Sequence, residues 1–460
     1  MLNINYHITP KDLKRKISEF WKLSGKKIRL IEEDRANKEG SPVFTVDGKY
    51  TSRGWTEWTQ GFLYGSALLQ YEATGEEYYL KLGKEGTLKY MSNHLTHRGV
   101  HDHGFNNLST YGNLLRLIRE GKIENNDWEA RFYELALKVS GAVQASRWSK
   151  TENGGYIYSF NGPHSLFVDT IRTVRILMVG HLLGQKLYGE KDRQINLLER
   201  GLQHIRTTAL YSIFYGEGKD FFDVPGRVAH ECIFNINDGS FRSHSAQQGF
   251  SGYTTWTRGL AWAMLGFAEE LEFLDFLSEE ELKEIGDRQE IEGLMLNAAK
   301  VTSDFYIQNT PVDGIPYWDT GAPGLAHMKN PLDKPADPFN VFEPIDSSAA
   351  TIAAQGLLRL GKFLEEIGHT EDSKKYCQAG LTVFDHLMSE PYLSSMENHQ
   401  GLILHSIYHR PMNWDYRPDI HKVPFGESSM WGDYHAREMA VYVQKMINGE
   451  PYYRFFNCLK

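Results

Sequence analysis

Three short stretches constrain this chain most: Ala73-Thr74-Gly75-Glu76-Glu77, Leu187-Tyr188-Gly189-Glu190-Lys191 and Ile367-Gly368-His369-Thr370-Glu371. In each, apolar residues at helical spacing stop near a glycine, which tolerates the left-handed conformation that ends a helix. Acids follow at once, where the N-terminal end of the next helix favours negative charge. A relatively apolar helix is thus joined to a more charged one, and helical hairpins repeat along the chain.

Helical periodicity dominates elsewhere, and alternating strand patterns are short and few. The spacing predicts helices over Thr56 to Ala73, Glu77 to His94, Asn107 to Arg119, Asp127 to Ala145, Leu166 to Leu187 and Asp192 to Thr207. Further helices are expected over Thr255 to Leu274, Ser278 to Gln308, Ser347 to Ile367, Glu371 to Met388 and Trp431 to Met446, with one more near Pro10 to Leu23. Gly-, Pro- and Asp-rich connections, Gly154 to Pro163 and Pro311 to Pro344, fall at the opposite hairpin ends. An all-α toroid fits, with apolar helices inside, charged helices outside and the long loops forming a pocket. An open helical solenoid is the rival, but its repeats would be uniform. No linker divides the chain, so residues 1–460 are expected to form a single catalytic domain, with 1–50 as an extension packed on it.

A net charge of −9 argues against a nucleic-acid partner, which needs clustered cations. Neither a signal-length nor a bilayer-length apolar run is present, so no membrane partner is expected. Cys232, Cys377 and Cys458 are odd in number and lack metal-ligand spacing, which points to reduced thiols in a cytoplasmic protein. The aromatic share is 13%, with 10 Trp and 25 Tyr, a supply of rings suited to the apolar faces of sugars.

Two acids are candidates for chemistry. Asp102 stands in His101-Asp102-His103-Gly104-Phe105, just before an expected helix that it could equally cap. The flanking histidines suggest a metal, but adjacent side chains converge poorly on one ion and no matched cluster accompanies them, so none is expected. Asp169 lies in the apolar run Leu166-Phe167-Val168-Asp169-Thr170-Ile171, where burial would raise its pKa and suit a general acid. Its alternative is a cap, or an ion pair with Arg172 or Arg175. Arg258 and Trp262, four residues apart, share a helix face and could address the carboxylate and flat face of a uronic sugar. Otherwise Arg258 binds helix-end carbonyls and Trp262 fills the core. Asp346-Ser347-Ser348-Ala349-Ala350 reads as a capped helix start. Phosphate-binding loops, dinucleotide glycine patterns and nucleophile elbows are absent.

In order, Trp58-Thr59-Gln60-Gly61-Phe62, Tyr71-Glu72-Ala73-Thr74-Gly75, His101-Asp102-His103-Gly104-Phe105, Phe167-Val168-Asp169, Thr257-Arg258-Gly259-Leu260-Ala261-Trp262, Pro316-Tyr317-Trp318-Asp319, Asp346-Ser347-Ser348-Ala349-Ala350 and Trp431-Gly432-Asp433-Tyr434 resemble glycoside hydrolase family 88, the unsaturated glucuronyl hydrolases. The resemblance implies an (α/α)6 barrel, catalytic Asp102 and Asp169, and substrate contacts from Trp58, His101, Gln248, Arg258 and Trp262. It matches Trp148 to a pocket tryptophan and His244 to a pocket histidine. The chain departs from the family at Leu260, at Gln247 and along Thr170-Ile171-Arg172-Thr173, where the family is more apolar.

What the resemblance implies is removal of a non-reducing-end unsaturated uronic acid from an oligosaccharide, by protonation at carbon 4 and hydration at carbon 5, without a cofactor. Asp169 is the expected proton donor and Asp102 its partner. The alternatives are hydrolysis of saturated glucuronides by the same two acids, and a helical scaffold without a shared pocket.

Overall fold

The structure is a computed structural model and describes residues 1–35, 40–53, 58–418 and 421–459. Two of the three glycine turns form as expected, with Gly75 and Gly368 left-handed at φ 72° and 83°. They join Gln60–Thr74 to Glu77–Tyr90 and Ser347–Glu366 to Thr370–Leu387. The expected start of the first helix at Thr56 lies outside the described residues. The third turn is corrected: Arg175–Leu182 ends at left-handed Gly184, and Leu187–Tyr188 pairs as a small hairpin with Gln194–Ile195.

Six helical segments touch in a cycle. Gln60–Thr74 packs on His103–Asn107, which packs on Thr170–Thr173; next come Thr257–Leu274, Ser347–Glu366 and Met430–Asn448, which returns to Gln60–Thr74. Every residue of Thr257–Leu274 is buried, as expected of a helix enclosed on all sides. Around the cycle lie Lys14–Arg35, Glu77–Tyr90, Asp127–Ala145, Leu197–Ser212, Arg288–Asn309 and Thr370–Leu387, each against an inner neighbour. Close approach within the cycle needs small residues: a Cβ on Gly61 would meet the Asn106 carbonyl oxygen at 2.3 Å.

Some of the buried interior is ionic. Arg172 donates to both Glu269 oxygens at 3.1 Å and to Glu438 at 2.6 Å, and also bonds His435. Arg175 adds a bond to Glu269 at 2.8 Å, and Arg359 pairs with Glu272.

Several expected helices are broken, among them Glu77 to His94, which divides at Met91 into Glu77–Tyr90 and Ser92–Thr96. Ser278 to Gln308 divides into Glu279–Lys283 and Arg288–Asn309, each started by its own side-chain cap, Ser278 and Asp287. Leu166 to Leu187 begins as a strand, Ser165–Phe167, antiparallel to Glu231–Phe234, which pairs in turn with Phe241–Ser245. This small sheet escaped the sequence reading because its strands are three to five residues long and 63 residues lie between the first and the second. It positions the candidate site.

Candidate active site

Phe167 pairs with Glu231, and the next backbone bond runs from Val168 N–H to the His230 carbonyl at 2.9 Å. The strand end then carries Asp169 to where His103–Asn107, packed on Thr170–Thr173, presents His101 and Asp102. Neither Asp102 nor Asp169 makes a capping hydrogen bond, although both stand at a helix N-terminus. Arg172 and Arg175 pair with Glu269 instead of Asp169. Both carboxyls meet His101, whose Nε2 lies 3.4 Å from Asp169 Oδ2 and 3.7 Å from Asp102 Oδ1.

All three side chains are buried, and their nearest donor atoms lie within 4.8 Å of one another. That spacing could also admit a cation, so the expectation that neighbouring side chains cannot converge is corrected: Asp169, arriving from the sheet, completes a group that His101 and Asp102 begin. A protonated His101 supplies the same balancing charge. Burial opposes the imidazolium, but Asp102 and Asp169 outweigh it and raise the His101 pKa. The Asp102 carboxyl is pushed up to about 6, chiefly by burial. Burial also works against ionised Asp169, yet the His101 charge and hydrogen bond prevail and lower its pKa. The expected raised pKa therefore belongs to Asp102. Asp169 Oδ1 and His101 Nδ1 are buried without a hydrogen-bond partner among the described residues.

These groups open into a cavity of about 250 Å³. Trp58 forms one wall, stacked on Trp431 with centroids 5.0 Å apart; Trp262 and Phe105 form another, at 5.8 Å and nearly parallel. Phe160, Phe167, Trp256, Tyr408, His409 and Trp414 contribute further lining. The cavity thus gathers Trp58, His101, Asp102, Asp169, Gln248, Arg258 and Trp262. Trp148 and His244 lie elsewhere. Trp148 sits on the Trp148–Thr151 strand beneath the Arg200 guanidinium, 4.8 Å away, and His244 bonds the Tyr211 carbonyl at 2.9 Å.

A different histidine supports the site from behind. His230 Nδ1 accepts from the backbone N–H groups of Gln247 and Gln248, and its ring packs against Phe167 and Trp256. Burial lowers its pKa to about 3, so it is neutral. Asp319 fixes the same loop by accepting from Phe250 N–H at 2.8 Å. The aromatic-rich run Tyr408-His409-Arg410-Pro411-Met412-Asn413-Trp414 was the available sequence signal for the remaining wall.

No protein-family model matches the chain. An unsaturated glucuronyl hydrolase from Formosa agariphila is 24% identical over 397 residues, spanning 85% of this chain and 81% of its own. One from Bacillus sp. strain GL1 is 24% identical over 424 residues, 88% of this chain and 91% of its own. An unsaturated chondroitin disaccharide hydrolase from Streptococcus agalactiae is 22% identical, covering 89% and 87% of the two chains. Among solved structures, a UGL carrying an aspartate-to-asparagine substitution, with dGlcA-Glc-Rha-Glc, superposes with a TM-score of 0.70 at 20% identity, over 95% of this chain and 97% of that one. The unsaturated glucuronyl hydrolase of Bacillus sp. GL1 gives 0.68 at 19% identity, over 93% and 97%.

Proposed function

We propose that this chain is a glycoside hydrolase of the unsaturated glucuronyl hydrolase kind, removing a 4,5-unsaturated uronic acid from the non-reducing end of an oligosaccharide. The carrying observation is the His101–Asp102–Asp169 group at the base of an aromatic cavity. Its volume, below the roughly 300–1,000 Å³ of most ligand pockets, suits one terminal ring. A scaffold would leave the two acids apart. An ordinary inverting pair would stand about 6.5–9.5 Å apart to admit a water between them; the nearest atoms of these carboxyls lie within 4.8 Å, close to the roughly 5–5.5 Å of a retaining pair, so hydrolysis of a saturated uronide is separated by assay. Curated relatives matching over most of the chain are named for this activity.

In the proposed mechanism Trp58 and Trp262 hold the ring, and Asp169 delivers a proton to carbon 4 as the double bond breaks. Because Asp169 is held ionised in the open site, that proton comes from the reservoir shared by His101 and Asp102, through the His101–Asp169 hydrogen bond. Positive charge develops at carbon 5, where the adjoining carboxylates stabilise it. Water adds there and returns its proton to Asp169. The resulting hemiketal opens and the remaining sugar leaves. The sequence of steps needs no cofactor.

The closed cycle of six inner helices backed by six outer ones supports an (α/α)6 toroid. We read residues 1–460 as a single catalytic domain, in which Lys14–Arg35, from the segment 1–50 expected as an extension, packs on Gln60–Thr74 and Met430–Asn448 as one of the six outer helices. No described helix is long and apolar enough to cross a membrane. The three free cysteines speak for the cytoplasm.

The deciding experiment incubates the protein with unsaturated and saturated uronyl disaccharides. Loss of double-bond absorbance and release of reducing sugar are expected together, from the unsaturated sugar alone; turnover of only the saturated one rejects the reading. The pH profile is a second check. Below about 6 Asp102 keeps a proton that an ordinary carboxyl has released; above it Asp102 gives up its share of the reservoir, while His101, raised above its ordinary value, holds its own proton to higher pH. The value of kcat/KM is therefore expected to fall as pH rises through about 6. In Asp102→Asn, which lacks that ionisation, this limb should vanish from the residual activity; an unchanged limb assigns it to another group.

A further inference from the structure

Arg258 stands in the cavity wall, but its guanidinium is already engaged. Nη1 donates to Asp346 at 2.7 Å and to the Ile407 carbonyl; Nη2 donates to Gln248 Oε1 at 2.9 Å and to the Tyr408 carbonyl at 2.8 Å. The side chain is 2% exposed and packs against the Trp256 and Trp431 rings. Asp346 is committed too, capping Ser347–Glu366 through Ser348 N–H. For Arg258 to clamp a ligand carboxylate with two parallel N–H groups, it would have to abandon buried acceptors, each costly to strand.

The same bonds orient two other groups. With Oε1 of Gln248 taken by Arg258, its amide NH₂ is the end left to meet a ligand in the cavity. The backbone held at Ile407 and Tyr408 leads into His409, whose own N–H and that of Tyr408 are fixed by Asp415 at 3.1 Å and 2.5 Å. His409 Nδ1 accepts from Met412 N–H, so in the neutral ring Nε2 carries the proton. That Nε2 is buried, has no hydrogen-bond partner among the described residues and belongs to a residue lining the cavity.

We propose that Arg258 is a positioning residue acting through Gln248 and the Ile407–His409 backbone, and that the ligand carboxylate is read by two uncharged donors, the Gln248 amide and His409 Nε2–H. The proposal rests on a uronic acid being the substrate. It makes specificity depend on directional hydrogen bonds in a dry pocket, and it gives the guanidinium the task of holding two loops and a helix start together.

The test measures calorimetric binding of an unsaturated uronyl disaccharide to the slow Asp169→Asn background, with Gln248→Ala, His409→Phe, Arg258→Lys and the Gln248→Ala/Arg258→Lys pair added. His409→Phe keeps the ring and removes the donor; it should weaken binding by about 10- to 100-fold, the worth of a hydrogen bond to a charged group. Gln248→Ala should weaken it comparably. Arg258→Lys should cost about 30-fold alone but only about 3-fold once Gln248 is gone, the signature of residues acting in series. If Arg258 is itself the clamp, Gln248→Ala frees a guanidinium N–H, and binding holds or tightens. That result, unchanged binding in His409→Phe, or additive losses in the pair each overturn the proposal. Should Arg258→Lys fail to fold, the Gln248 and His409 variants still decide. A background protein that binds saturated and unsaturated uronides equally poorly refutes the substrate reading itself, a result distinct from additive losses.

Discussion

Asp169→Asn is expected to stop the loss of double-bond absorbance, lowering kcat by about 10²–10⁴-fold, the range attributable to a positioned acid–base group. Asparagine matches the shape of the carboxyl and can still accept from His101 Nε2–H, so the cavity should keep its walls and its affinity. What disappears is a group that can give a proton to carbon 4 and then take one from water. A second signature is electrostatic. His101 is raised by two carboxylates, and with Asp169 neutralised its pKa should move down, measurable by the pH dependence of its ring resonances. Full activity in this variant would remove Asp169 from the mechanism. Loss of activity with an unmoved His101 would leave Asp169 the chemistry but sever it from the reservoir.

The largest stability effect is expected from Arg172→Met. Arg172 is fully buried between Glu269 and Glu438, and removing one partner of a buried pair leaves uncompensated charge at a cost of about 3–5 kcal/mol. Burial opposes ionised Glu438, but Arg172, His435 and Arg175 overcome it and hold its pKa low. A depressed carboxyl stabilises the fold above its ordinary pKa, and that contribution is lost as pH falls through the folded value. The cost of Arg172→Met should thus be greatest near neutrality and shrink in acid, read from denaturant midpoints across pH. Lys81→Met, which removes an exposed pair with Glu85 whose side chains are 75% and 68% exposed, is the control and should cost less than about 1 kcal/mol. Equal losses in the two variants would mean that the buried network adds nothing. Because His435 bonds Arg172 and lies edge-on to Trp262 at 4.9 Å, the buried variant should also loosen that wall of the cavity.

Local signals were legible where the physics is local. Asp127–Ala145 has the expected bounds because Asn126 caps its first turn through the N–H groups of Trp128 and Glu129, a device complete within four residues. Ser347–Glu366 starts where Asp346 predicts, and Gly75 and Gly368 end their helices for a reason confined to one backbone dihedral. The Gly189 turn fails for the same kind of reason: Gly184 offers an earlier stop, and the intervening residues pair as strands.

The chain by itself thus determined the helical hairpins, the acids worth suspecting and the shared face of Arg258 and Trp262. Only tertiary structure decided where these groups stand and what they touch. Capping and catalysis are equal alternatives for Asp102 and Asp169 in the sequence; in the structure their carboxyls make no side-chain capping bond and meet at His101, which supports the proposed catalytic roles. Arg258 faces Trp262 by spacing, yet its acceptors come from residues 248, 346, 407 and 408. His230, which holds the Gln247–Gln248 backbone behind the cavity, takes that place and His244 does not, because strand pairing sets His230 opposite Val168 and leaves His244 beside Tyr211. Caps and turns act through a few bonds of backbone and so leave a mark in the local sequence. The direction of a buried side chain is set by segments tens to hundreds of residues away, and helical periodicity carries no record of them.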